Sequence, residues 1–328
     1  LWTRGADSVT PTHAVGVHPI LRPGLAVYRR NTRQLQFGTA PDDCFVVEDR
    51  PGLVALLRLL NGMRDAATVA CLARERIPAL VDDPEALLGA LAREGIVVDA
   101  PRCHAAEHAL GPEARSLVAQ RVMPDEVENR LMRRSQSYTE IRADGPAEPF
   151  AAGVADALRA TGIDTTRASD TLATVVVVVS TGQGDRSLFA RLRHDHLPHL
   201  AVAVCGSRVD VGPFVCPGLT PCVECLDLWR HTSDPSWAAV TAQFDAPLVY
   251  AGGMGDTAVS AATRLAATAL VTDEVATFCD DTVPHTTATT ITIGPGAYDR
   301  AEAASAFHPR CRCREVRGAA AELDDPPQ

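Results

Sequence analysis

His199-Leu-Ala-Val-Ala-Val-Cys-Gly-Ser-Arg-Val-Asp-Val-Gly-Pro-Phe-Val-Cys-Pro-Gly-Leu-Thr-Pro-Cys-Val-Glu-Cys-Leu-Asp-Leu-Trp229 carries the signals that decide the fold of the C-terminal half. Residues 200–205 are an apolar run of strand length, and residues 208–215 alternate as a hairpin partner across Gly206-Ser207. Pro221 then fixes the turn before Cys222 and Cys225, and CxxC lets two thiolates converge on one metal from a tight turn that runs into a helix. Alone, the pair is equally a redox dithiol. A second pair, Cys311 and Cys313 in Cys-Arg-Cys, follows 86 residues later. Four thiolates complete a closed tetrahedral site with no vacancy for water, which predicts a structural zinc held by Cys222, Cys225, Cys311 and Cys313. The competing readings are two unrelated thiol pairs or a reducible disulfide, with His308 as a substitute ligand.

Working outward, residues 174–180 form a β-branched run of the kind a parallel sheet buries, and helical patterns cover residues 150–161, 186–193 and 256–276. Residues 138–141 and 287–293 read as further strands. The domain predicted from this α/β alternation spans residues 137–317, followed by a small, acidic, flexible tail at 318–328.

The N-terminal part reads differently. After a loose lead-in at residues 1–20, short strand-like runs at 25–28, 34–37 and 44–47 precede three helices. Pro51 opens the first, Asp65 caps the second, and Asp83-Pro84 starts the third, closed at Gly95. Residues 96–98 read as a final strand. Three strands and three helices within residues 20–100 describe a winged-helix module, and residues 101–136 read as a partly helical connector. The usual target of a winged helix is DNA, but the third helix carries Glu85, Arg93 and Glu94 and is not basic, which favours a protein or peptide ligand.

Composition supports this. A net charge of −10 argues against nucleic acid as the main partner. All 31 basic residues are arginine, so chemistry that needs a lysine amine is excluded. The uninterrupted apolar runs, residues 175–179 among them, are far short of a membrane span. No secretory signal is visible, and the isolated Cys44, Cys71, Cys103, Cys205, Cys216 and Cys279 suit a reducing cytosol, so a cytoplasmic location is expected.

The 199–229 stretch resembles the ThiF/MoeB superfamily, the fold of ubiquitin-activating enzymes. Pro217-Gly-Leu-Thr-Pro-Cys-Val-Glu-Cys-Leu-Asp-Leu228, Asp234-Pro-Ser-Trp237 and His308-Pro-Arg-Cys-Arg-Cys313 look like one branch of it. That branch comprises the ThiF-like partner proteins of azole- and azoline-containing peptide biosynthesis, including thiopeptides. The resemblance implies an α/β architecture: an N-terminal peptide-binding winged helix, the RiPP recognition element, ahead of a Rossmann-like ThiF/MoeB-type domain with a zinc site. It further implies that a precursor leader peptide adds as a strand beside Cys44, Phe45, Val46 and Val47 and packs on Leu87, Leu88 and Leu91. A separate YcaO-type cyclodehydratase as partner and a homodimer are implied as well.

Active members of the superfamily bind ATP through a glycine-rich loop after the first strand, with an Asp for magnesium and a Lys. The matching loop here, Ile141-Arg-Ala-Asp-Gly-Pro-Ala-Glu-Pro149, has one glycine, two prolines and two carboxylates. Asp185 comes several residues late, and there is no lysine. ATP is therefore not expected as a cofactor, catalytic residues are expected to be absent, and the expected role is non-catalytic. The alternatives are an adenylating enzyme acting on a peptide carboxylate through a remodelled site and, more remotely, a DNA-binding regulator.

Overall fold

The computed structural model describes residues 18–39, 44–101, 124–166, 172–243, 259–296 and 298–317. The chain divides into two compact units, Leu1–Leu131 and Met132–Gln328. The expected tail at 318–328 and most of the expected connector, Cys103 included, lie outside the described residues.

In the first unit, β1 (Pro19–Leu21) pairs antiparallel with β5 (Val97–Asp99). Strands β2 (Val27–Asn31), β3 (Gln34–Phe37) and β4 (Phe45–Glu48) form a separate antiparallel sheet in that order. Three helices follow β4: α1 (Leu53–Leu59), α2 (Ala66–Arg76) and α3 (Pro84–Arg93). The cap signals act as their chemistry dictates. Asp65 accepts from Thr68 N at 2.6 Å and Asp83 from Ala86 N at 3.0 Å, each satisfying an orphan donor of a first helical turn. Leu35 and Phe37 of β3 pack with Leu53, Leu56, Val69, Leu88 and Leu91 in one core.

Part of the supposed lead-in is structural, since Pro19 and Ile20 belong to β1. Three residues give too short a pattern to register as a strand. Its place depends on Gly62, which has φ 71° and comes so close to β1 that a Cβ there would stand 2.7 Å from Ile20 Cγ2.

The second unit begins within α4 (Pro124–Gln136) and continues through β6 (Thr139–Ala143), α5 (Glu148–Ala160), β7 (Val175–Thr181), α6 (Arg186–His194), β8 (His199–Cys205) and β9 (Arg208–Val215). It ends with α7 (Val223–Ser233), α8 (Trp237–Thr241), α9 (Ala261–Cys279), β10 (Thr289–Ile293) and β11 (Arg300–Ala304). The six strands make one mixed sheet in the order β11-β10-β9-β8-β7-β6. Strands β6, β7 and β8 are parallel, and β8 to β11 are mutually antiparallel.

Strand β7 shows why its sequence is a continuous run of valine. Val175, Val177 and Val179 face a core that includes Phe150 and Val154 of α5 and Val271 and Val275 of α9. Val176 and Val178 face Phe189 and Leu192 of α6 and Val223 of α7 on the opposite side. A strand covered on both faces has no position for a polar alternation. Among the described residues the strands follow one another in sequence across the sheet, without the reversal of order that creates a ligand crevice in doubly wound sheets.

Candidate functional site

Both thiol pairs converge in the second unit. Cys222 is the N-cap residue of α7, in extended conformation, and Cys225 N bonds back to Cys222 O at 2.9 Å, so the first turn of the helix brings the two sulfurs together. The second pair arrives on a tight turn in which Cys311 N donates to His308 O at 3.0 Å, and Cys313 lies on the 3-10 helix Arg312–Arg317 that follows. All four sulfurs lie within 4.8 Å of one another. The Cys222–Cys225, Cys222–Cys311 and Cys225–Cys313 separations are 3.9, 3.6 and 3.5 Å.

A zinc ion with sulfurs at about 2.3 Å in a tetrahedron spaces them about 3.8 Å apart, so these residues fit the metal. Disulfide sulfurs would stand about 2.0 Å apart, and all four cysteines are free thiols. Zinc would supply the charge that allows them to ionise together. Burial pushes the Cys311 thiol up to about 12 and raises Cys313, while Cys222 is raised first by its contact with Cys225 and then by burial. His308, the substitute ligand considered from sequence, instead packs edge-on to Trp229 at 4.7 Å between ring centroids, and its Nδ1 accepts from Arg310 N. Val215 and Phe307 enclose the cluster in apolar surface.

In the loop that matches the superfamily's nucleotide site, a carboxylate bonds the backbone of two segments. Asp144, directly after β6, accepts from Ala147 N at 3.1 Å and Thr181 N at 2.5 Å, and Thr181 Oγ1 donates to it at 2.9 Å. Asp185, at the position too late for magnesium, caps α6 by accepting from Ser187 N at 2.6 Å.

In the first unit, a groove of about 240 Å³ runs between β4 and α3. Of the residues expected to hold a peptide, Val46, Val47, Leu87 and Leu91 line it. Phe45 packs on the core, and Leu88 is fully buried within it. Cys44 is half-buried just ahead of β4. Sequence reasoning missed Leu53, Ala86 and Ala90 on the groove wall and its charged rim, Glu48, Arg50, Asp82 and Asp83. The helical spacing of Ala86 and Ala90 with Leu87 was the signal available for the wall. Strand β4 is the outer strand of its sheet, paired to β3 from Gln34↔Glu48 to Phe37↔Phe45.

No protein-family model matches the chain, and no curated protein matches it. Solved structures share its fold. A heterocyclase in complex with substrate and cofactor superposes with a TM-score of 0.66 at 17% identity, over 94% of this chain and 41% of that one. The heterocyclase TruD gives 0.66 at 16%, over 95% and 45%. MccB of E. coli gives 0.57 at 12%, over 90% and 96%, and a further structure is the microcin C7 biosynthetic enzyme MccB in complex with N-formylated MccA. The chain thus spans less than half the length of the two heterocyclases. Among the described residues no helix is long and apolar enough to cross a membrane.

Proposed function

We infer that this chain is a non-catalytic partner protein of the ThiF-like branch, which captures the leader of a ribosomal precursor peptide. It delivers that peptide to a separate YcaO-type cyclodehydratase, which forms azolines from it. The first unit serves as a winged-helix RiPP recognition element, and the second as a zinc-stapled scaffold. The observation that carries this reading is an outer strand, β4, bordered by an apolar groove against α3. That is the arrangement β-augmentation uses, with main-chain hydrogen bonds supplying affinity and adjoining pockets supplying register.

Two further observations support it. Solved heterocyclases share this fold over 94% and 95% of this chain. The loop after β6 has one glycine, the sequence has no lysine, and the Asp144 carboxylate stands at the end of β6. Binding is tested by titrating a labelled leader peptide encoded beside a YcaO-type gene. Micromolar affinity with no ATP–pyrophosphate exchange is the expected result.

The second reading, an adenylating enzyme, is favoured by the match over nearly the full length of both chains to MccB, which has also been solved with AMPCPP and MccA. Micromolar binding of labelled ATP, or pyrophosphate exchange dependent on a peptide carboxylate, would overturn the non-catalytic reading.

A further inference from the structure

A metal bound by four thiolates carries two negative charges in excess, and burying such a charge is costly unless a cation or several hydrogen bonds offset it. The cluster has such a cation beside it. Arg193, in the last turn of α6, points Nη1 at two of the four sulfurs, 3.6 Å from Cys222 Sγ and 3.9 Å from Cys311 Sγ. The same nitrogen donates to Glu224 Oε2 at 2.5 Å. The guanidinium is mostly enclosed, with its side chain 23% exposed, so solvent screens it only partly.

The two sulfurs it reaches belong to different halves of the site. Cys222 comes from the turn before α7 and Cys311 from the turn after His308. Glu224 lies on the first turn of α7 and accepts from the same Nη1 that reaches the sulfurs.

We propose that Arg193 is the outer-sphere positioning residue of the metal centre. It offsets the excess negative charge and, through N–H···S bonds to Cys222 and Cys311, holds the two halves of the thiolate set in binding geometry. An arginine suits this role because its permanent charge is weakly hydrated and tolerates a partly buried place beside a carboxylate and sulfurs, which a compact, strongly hydrated ammonium does less well. This rests on the four cysteines holding zinc. Outer-sphere partners of this kind change metal affinity by about 10- to 100-fold.

The test uses the full chain. Zinc dissociation constants are measured by competition with a chromophoric chelator, and the cobalt-substituted protein is read through its sulfur-to-cobalt charge-transfer absorption. Arg193→Leu should weaken zinc binding at least tenfold and perturb the charge-transfer band, and Arg193→Lys should recover part of the affinity. Glu224→Gln removes the carboxylate and keeps the guanidinium beside the sulfurs, so its affinity should stay within about threefold of the parent.

Unchanged affinity and spectrum in Arg193→Leu would overturn the proposal while leaving the metal reading intact. So would a loss in Glu224→Gln equal to that in Arg193→Leu, since the ion pair rather than the N–H···S bonds would then be the cause. A parent chain that binds no zinc overturns both. Arg193→Gln, which keeps an N–H donor without the charge, carries the same comparison if the leucine variant does not fold, and at least a threefold weakening is expected of it.

Discussion

Arg134 and Asp280 form a two-pronged ion pair in which Nε and Nη2 each lie 2.8 Å from a carboxylate oxygen, with side chains only 6% and 4% exposed. The pair joins the end of α4 to the residue that caps α9. Removing one partner strands a buried charge, which costs about 3–5 kcal/mol, whereas replacing both with apolar residues of similar volume is often close to neutral. Asp280→Ala should therefore lower the urea midpoint strongly, and Arg134→Met with Asp280→Leu should recover most of the loss. Equal destabilisation by the single and double variants would show that the charge pair is not the source.

The groove beside β4 permits binding and stability to be separated. Asp49 N donates to Arg33 O directly ahead of β3, so the alternation of an antiparallel ladder turns the N–H of Val47 toward β3 and that of Val46 outward. Val46→Pro therefore deletes a donor available to an added strand while sparing the β3 ladder. It should weaken leader-peptide binding at least tenfold in a fluorescence-anisotropy titration, with the melting temperature nearly unchanged. Affinity equal to that of the parent would rule β4 out as the pairing edge.

Two leucines adjacent in sequence make the complementary pair. Leu87 is half-buried on the groove wall, while Leu88 is fully buried in the core. Leu87→Ala should reduce peptide affinity with little effect on denaturation, and Leu88→Ala should cost about 2–5 kcal/mol of stability. Peptide titrations and urea melts on both variants check the split, and an unchanged affinity in Leu87→Ala would take that side chain out of the peptide site.

These contrasts show where the sequence was legible. Asp65 and Asp83 act through chemistry local to a turn, and the helices they start could be read from the residues alone. The valine run of β7 announced a strand covered on both sides. The four cysteines could be grouped because thiol spacing is itself a chemical signal, although their convergence is tertiary. Strand β11, Arg-Ala-Glu-Ala-Ala, could not be read, because all five residues are exposed and only pairing with β10 makes them a strand. Arg193 and the Arg134–Asp280 pair are ordinary surface-type residues in sequence, and their burial depends on contacts from distant elements.

The thiolate cluster should tie stability to metal. Zinc present at a thousand times its dissociation constant stabilises the folded state by about 4 kcal/mol, because the unfolded chain holds no preformed site. Cys313→Ser, at a fully buried member of the cluster, should reduce bound zinc from one per chain toward none and lower the melting temperature. A strong chelator should depress the melting temperature of the parent and leave that of Cys313→Ser unchanged. Elemental analysis and calorimetry on both proteins check this, and full zinc occupancy in the variant would exclude Cys313 as a ligand.

Acid sensitivity should centre on His199. Its ring is buried at 1% exposure, lies 5.8 Å from the Phe189 ring, and is paired through Nδ1 with Leu197 O at 2.9 Å. Burial, reinforced by the charge of Arg193 and opposed by the Leu197 bond, lowers its pKa from 6.5 to about 4. The unfolded chain therefore binds the proton first on acidification. The stability due to the neutral ring is complete above about pH 6.5 and is lost as pH falls toward 4, by about 3 kcal/mol over that window. Any zinc held by the four thiolates would be released on acidification in parent and variant alike, so their difference isolates the imidazole. Urea melts at pH 7 and pH 4.5 should show His199→Gln, which cannot titrate, losing about 2–3 kcal/mol less than the parent. Equal losses in the two proteins would mean that His199 is not the group that protonates on unfolding.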